Sequence, residues 1–109
     1  MPNNTRPKVF AIDFDGTLCE NRWPEIGKPH TEMINFMKKL RKKGHKIILW
    51  TCRDGESLEK AIEWCSKRGL FFDAVNDNVE ENKNFFGGNS RKISADYYID
   101  DKAYNALPI

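Results

Sequence analysis

Val9-Phe10-Ala11-Ile12-Asp13-Phe14-Asp15-Gly16-Thr17 is the stretch from which the rest of the chain can be read. Four apolar residues run without polar alternation, the pattern of a short strand buried on both faces. Two carboxylates follow, one residue apart. Side chains alternate along a strand, so Asp13 and Asp15 are expected to point the same way, with Phe14 opposite. Like charges at one site repel unless a cation or a shared proton lies between them. A hard cation such as Mg2+ answers that repulsion and leaves one carboxylate for chemistry. Gly16 lets the backbone turn away and would bring its amide towards an anion. The competing reading is an Asp-rich turn behind an edge strand.

Outward from this stretch, residues 16–30 hold Gly16, Pro24, Gly27 and Pro29 with no sustained period, and read as a loop with room for a small hairpin. Trp23 and Ile26 are apolar for a loop: they either tuck against the body or border a site. Thr31 is a candidate helix N-cap, and Met33, Phe36, Met37 and Leu40 follow at helical spacing. Lys38, Lys39, Arg41, Lys42 and Lys43 crowd the end of that helix, where cations suit the dipole, and Gly44 stops it. A surface for phosphate backbones is the sharper reading of the same run. Residues 46–51 read as a second buried strand with Ile47, Ile48, Leu49 and Trp50 in succession. Leu58, Ala61, Ile62 and Cys65 mark a second helix, which Gly69 ends. Residues 70–76 read as a weaker third strand and 77–91 as a polar loop. Tyr97, Tyr98 and Ile99 form a last strand that ends in Asp100 and Asp101.

Strands alternating with helices predict a parallel sheet with helices on its faces and right-handed crossovers. In such sheets the carboxyl ends of the strands form the site. Three strands here end in reactive residues: Asp13 and Asp15, then Thr51 with Cys52 and Arg53 just behind it, then Asp100 and Asp101.

Composition bounds the rest. At 109 residues the chain suits one domain, with residues 1–7 as a loose tail. A net charge of +2 is too balanced to argue for nucleic acid. Three cysteines are an odd number with no disulfide or metal spacing, which fits a reducing, cytoplasmic setting. No apolar run reaches the roughly 20 residues of a membrane span, and the N-terminus lacks a signal-peptide core. His30 and His45 border helix ends without ligand spacing, so no zinc site is expected.

The Asp13–Thr17 stretch, D-F-D-G-T, resembles the nucleophile motif of the haloacid dehalogenase superfamily, whose pattern is D-x-D-G-T after the first strand. The superfamily's second motif, a hydroxyl residue closing the second strand, is matched by Thr51, and its fourth, an acidic pair after a hydrophobic strand, by Asp100 and Asp101. Lys92 is the candidate for the third-motif lysine, with Lys83 as fallback.

The resemblance implies a Rossmann-like three-layer α/β/α sandwich with a mainly parallel sheet of about four to five strands and no cap domain. It implies a Mg2+-dependent phosphohydrolase in which Asp13 takes the phosphoryl group and Asp15 acts as general acid and base. Thr51 and Lys92 would hold the phosphate, helped by the amides around Cys52, while Arg53 holds a substrate phosphate or base or else pairs with Asp54 or Glu56. Metal ligands would come from Asp13, the Asp15 carbonyl and Asp100, with Asp101 beside them; which of Asp100 and Asp101 meets the metal stays open. Asp96 is expected to make a loop-to-strand hydrogen bond.

Two other classes compete: a receiver-type phospho-acceptor domain, and a silent phosphate- or metal-binding module of the same fold. A receiver carries its acceptor on the third strand and its acidic pair after the first, the reverse of the order here. Neither loop, 16–30 or 77–91, approaches the roughly 50 residues of an independent lid. The open site is then to be covered by the substrate itself, such as a protein or nucleic-acid end, or by a second subunit, with Trp23, Phe85 and Phe86 at the entrance.

Overall fold

A computed structural model describes residues 6–77, 79 and 94–100. The apolar run opening the chain forms β1 (Val9–Ile12). An antiparallel hairpin follows, β2 (Cys19–Arg22) and β3 (Glu25–Pro29), then α1 (Thr31–Lys42), β4 (Lys46–Leu49), α2 (Gly55–Ser66), β5 (Ala74–Val75) and β6 (Tyr97–Ile99). The main sheet has the order β5-β4-β1-β6, and each neighbouring pair in it is parallel. This is the mainly parallel, Rossmann-like α/β architecture expected from the alternating pattern.

The continuous apolar strands divide their side chains between two faces. Phe10, Ile12, Ile47 and Leu49 join one cluster with Met33, Ile34, Met37 and Leu40 of α1 and with Ala61 and Cys65 of α2. Both described helices therefore pack on the same face. The steps β1 to β4 and β4 to β5 also run in one direction, so their two crossovers share one hand. Ala11 and Ile48 face the other way and meet Val79, with Val9, Ala74 and Ala95 at the margin. Residues 80–93, most of them in the stretch read from the sequence as a polar loop, lie outside the described residues. Among the described residues the helix face carries most of the fully buried volume, including Phe14, Leu18 and Met37. Each fully buried large side chain there contributes about 1.5–3 kcal/mol.

Several local expectations are corrected. β4 stops at Leu49, and Trp50 is 47% exposed rather than buried. Thr31 opens α1 but is not its cap; His30 holds that position and makes no side-chain cap bond. Its Nδ1 instead donates to Thr17 O at 2.9 Å. Ile34, not Phe36, completes the fully buried stripe of α1, because the helix is covered on a broad face. The third strand is only the pair Ala74–Val75. The loop 16–30 is largely hairpin, and Gly27 is required there: a Cβ would lie 2.5 Å from Glu20 O. Asp96 bonds loop to strand as expected, its Oδ2 accepting from Val9 N–H at 2.7 Å. In the basic run of α1, Arg41 pairs with Asp73 at 3.3 Å.

Candidate active site

β1 lies between β4 and β6, so three carboxyl ends converge. The ladder continues one residue past the strands: Trp50 N–H donates to Ile12 O at 2.9 Å, and Asp13 N–H to Ile99 O at 3.0 Å. Asp13, Trp50, Thr51, Cys52, Tyr98, Ile99 and Asp100 line one open pocket of about 260 Å3. The register explains the grouping. Ala11 is level with Ile48 and Tyr98, and two residues further on, on the same face, come Asp13, Trp50 and Asp100.

Thr51 is fixed from both sides. Its N–H donates to Asn76 Oδ1 at 2.8 Å, and its Oγ1 accepts from Arg53 N–H at 3.1 Å. Asn76 sits just after β5 with φ of 50°, a left-handed conformation that Asn tolerates better than most residues. Sequence reasoning passed over this residue. An Asn closing a short strand was the available signal. Cys52 is exposed at the pocket wall.

Asp15 takes a different direction from Asp13. β1 ends at Ile12, and Phe14 O accepts from the N–H groups of Thr17 and Leu18 at 3.1 and 2.9 Å, closing a turn. The alternation that would aim both carboxylates alike therefore does not extend to Asp15. Asp13 Oδ1 accepts from Phe14 N–H at 2.8 Å. Gly16, with φ of 88°, gives its N–H to Cys19 O at 2.9 Å, so that amide closes the turn rather than facing an anion.

Both Asp15 oxygens accept from Arg53, Oδ2 from Nε and Oδ1 from Nη2, each at 2.8 Å. Neither Asp54 nor Glu56 is the partner. The fork geometry of guanidinium and carboxylate makes this the strong, bidentate form of the contact. Arg53 is only 2% exposed. Its guanidinium lies between the rings of Phe14 and Trp23, 5.1 and 4.8 Å from their centroids. Nη2 also donates to Glu25 O at 3.0 Å. The hydrogen bonds to Asp15 raise the Arg53 pKa against the opposing effect of burial. Trp23 thus packs on Arg53 and does not line the Asp13 pocket, while Ile26 packs against the core. Burial pushes the Cys65 thiol up to about 12 and raises that of Cys19.

Asp101, Lys92, Lys83, Phe85 and Phe86 lie outside the described residues. Among the described residues no three His, Cys, Asp or Glu side chains gather as a metal cage. Mg2+ needs less: it keeps several waters and is held by one or two carboxylates beside substrate oxygens. Asp13 and Asp100 on one pocket wall supply that kind of hard-oxygen donor set. The donors present therefore fit the ion.

No helix of the described residues is long and apolar enough to cross a membrane. No curated protein sequence matches the chain. A solved structure of a conserved protein from Bacteroides thetaiotaomicron is similar at 41% identity and a TM-score of 0.80, over 95% of this chain and 84% of its own. The model of the haloacid dehalogenase-like hydrolases matches residues 10–76, a span that runs from β1 through β5 and holds Asp13, Asp15, Thr51 and Arg53. With most of its length inside that match, the chain belongs to the haloacid dehalogenase-like hydrolase family.

Proposed function

We propose that this protein is a Mg2+-dependent phosphohydrolase that works through an aspartyl-phosphate. The observation that carries the reading is the placement of Asp13, Thr51 and Asp100, from the ends of three adjacent parallel strands, around one pocket. Asp13 attacks the phosphorus of a phosphate monoester, forming the acyl phosphate as the ester oxygen leaves. Asp15 gives that oxygen its proton, then takes a proton from the water that attacks the phosphoryl group and frees Asp13 and inorganic phosphate. Because Arg53 occupies both Asp15 oxygens, that contact has to loosen on one side for the proton transfer to occur.

Thr51, fixed by Asn76, donates its hydroxyl to a phosphoryl oxygen. Lys92 supplies a point charge to the phosphate and the nucleophile. Asp13, Asp100 and the Asp15 carbonyl would hold the metal ion, with Asp101 orienting water or Lys92. When bound, the ion neutralises charge between nucleophile and phosphate. The enzyme is read as cytoplasmic, in keeping with three unpaired thiols. Only the short hairpin separates β1 from α1, so the substrate or a neighbouring subunit covers the site.

The test is turnover of a generic aryl phosphate with Mg2+ and after chelation. Hydrolysis that is lost with chelator and restored by Mg2+ is expected; hydrolysis indifferent to the metal removes the mechanism.

A further inference from the structure

Among the described residues four large hydrophobic side chains are exposed: Trp23, Trp50, Phe71 and Tyr98. Two of them, Trp50 and Tyr98, stand in the wall of the Asp13 pocket. They come from strands on opposite sides of β1, so their rings can meet only by leaning across it. They do meet, edge to face, with centroids 5.3 Å apart and planes at 62°. Ala11, level with Tyr98 on the same face, presents only a methyl group and leaves that room. Tyr98 is also anchored at its far end, where its Oη accepts from Ala95 N–H at 3.0 Å.

Trp50 is 47% and Tyr98 42% exposed, beside carboxylates and a hydroxyl. Rigid aromatic rings with one end polar are effective low-entropy contact surfaces for another ring. We propose that Trp50 and Tyr98 form a stacking wall that selects phosphate monoesters bearing a planar aromatic group, a nucleobase or a phenol, over aliphatic ones. This rests on the phosphohydrolase reading of the same pocket and names its substrate class. The phosphate sits at Asp13 and Thr51, and the ring lies against the indole one residue before Thr51. Stacking on a ring face discriminates by planarity rather than by hydrogen-bonded identity.

The test has a kinetic arm and a binding arm. In the first, kcat/KM is measured for phenyl phosphate, adenosine 5′-monophosphate and glycerol 3-phosphate with the wild type, Trp50→Ala and Trp50→Phe. Trp50→Ala is expected to shrink the aromatic-over-aliphatic ratio by about 10-fold, mainly through KM, and Trp50→Phe to retain most of it. Phenyl phosphate against the nucleotide shows which ring is preferred. An unchanged ratio in Trp50→Ala overturns the proposal.

In the second arm, Asp13→Asn protein is titrated with adenosine 5′-monophosphate and ribose 5-phosphate by calorimetry. The nucleotide is expected to bind about 10-fold tighter, with the difference lost when Trp50→Ala is added. Equal affinities overturn the stacking wall even if phosphatase activity is present. A Trp50-dependent difference in a protein that hydrolyses no ester upholds the wall and overturns the phosphohydrolase reading.

Discussion

Asp13 and Asp15 are two residues apart, yet they belong to different environments. Asp13 ends a ladder in the middle of the sheet and faces an open pocket with Asp100, Thr51 and two exposed rings. Asp15 lies past the turn, where a buried guanidinium holds both its oxygens between two aromatic rings and beside the hairpin backbone. One carboxylate lines a pocket at the strand ends; the other has both oxygens held by a buried guanidinium. The difference arises from where β1 stops. Had it continued to Asp15, pleating would have aimed both carboxylates alike. It stops at Ile12; Phe14 still enters the helix-side core beside Phe10 and Ile12, but the turn closed on Phe14 O carries Asp15 towards Arg53.

The largest expected effect comes from exchanging the acids one at a time. Asp13→Asn removes the nucleophile and should abolish turnover. Asp15→Asn keeps the nucleophile and should slow both half-reactions by about 100-fold or more, as for loss of a general acid–base group. Steady-state rates on one aryl phosphate compare the two. Full activity in Asp13→Asn would sink the proposed chemistry, and equal residual rates would erase the division of labour.

Next in size is the effect of the buried pair on stability. Breaking a buried, hydrogen-bonded ion pair by truncating one partner costs about 3–5 kcal/mol. Arg53→Ala should fall in that range by urea denaturation, and Arg53→Lys should recover only part, since an ammonium cannot make the fork. Thr51→Ala, on the pocket side, should cost less. A double-mutant cycle of Arg53→Ala with Asp15→Asn isolates the pair. A coupling near zero would mean that Arg53 is held by its rings and the Glu25 carbonyl rather than by Asp15.

The same comparison shows what could be read from the chain alone. Apolar runs of four and a helical stripe such as Met33-Met37-Leu40 carry their own period, so the parallel sheet and both described helices were legible. Convergence of Asp13, Thr51 and Asp100 followed from the rule that parallel strands place their ends together. The partner of Arg53 was not legible, because Asp15 lies 38 positions away and the nearer Asp54 and Glu56 offered the same chemistry. Trp50 was misread because it continues an apolar run, and only the end of β4 exposes it. Asn76 was missed because its function is a backbone conformation and one amide oxygen, which leave no periodic trace.

The smallest expected effect lies within the Asp15 side itself. Asp15 and Arg53 are hydrogen-bonded to one another, yet Thr17, which is buried, has an Oγ1 with no hydrogen-bond partner among the described residues. A buried hydroxyl that exchanges water for nothing costs about 1–3 kcal/mol. Thr17→Val keeps the β-branched shape and removes the hydroxyl. If that oxygen is idle, the variant should be more stable by about 1 kcal/mol, at the lower end because some water is lost in the unfolded reference as well. Its rate should match the wild type. If stability rises but turnover falls, the hydroxyl acquires a partner during the reaction. A reactive Asp13 side and a structural Asp15 side would then not divide between the two acids, because Thr17, at the far end of the motif, would take part in the reaction. Equilibrium urea denaturation and kcat on the same preparation separate these outcomes.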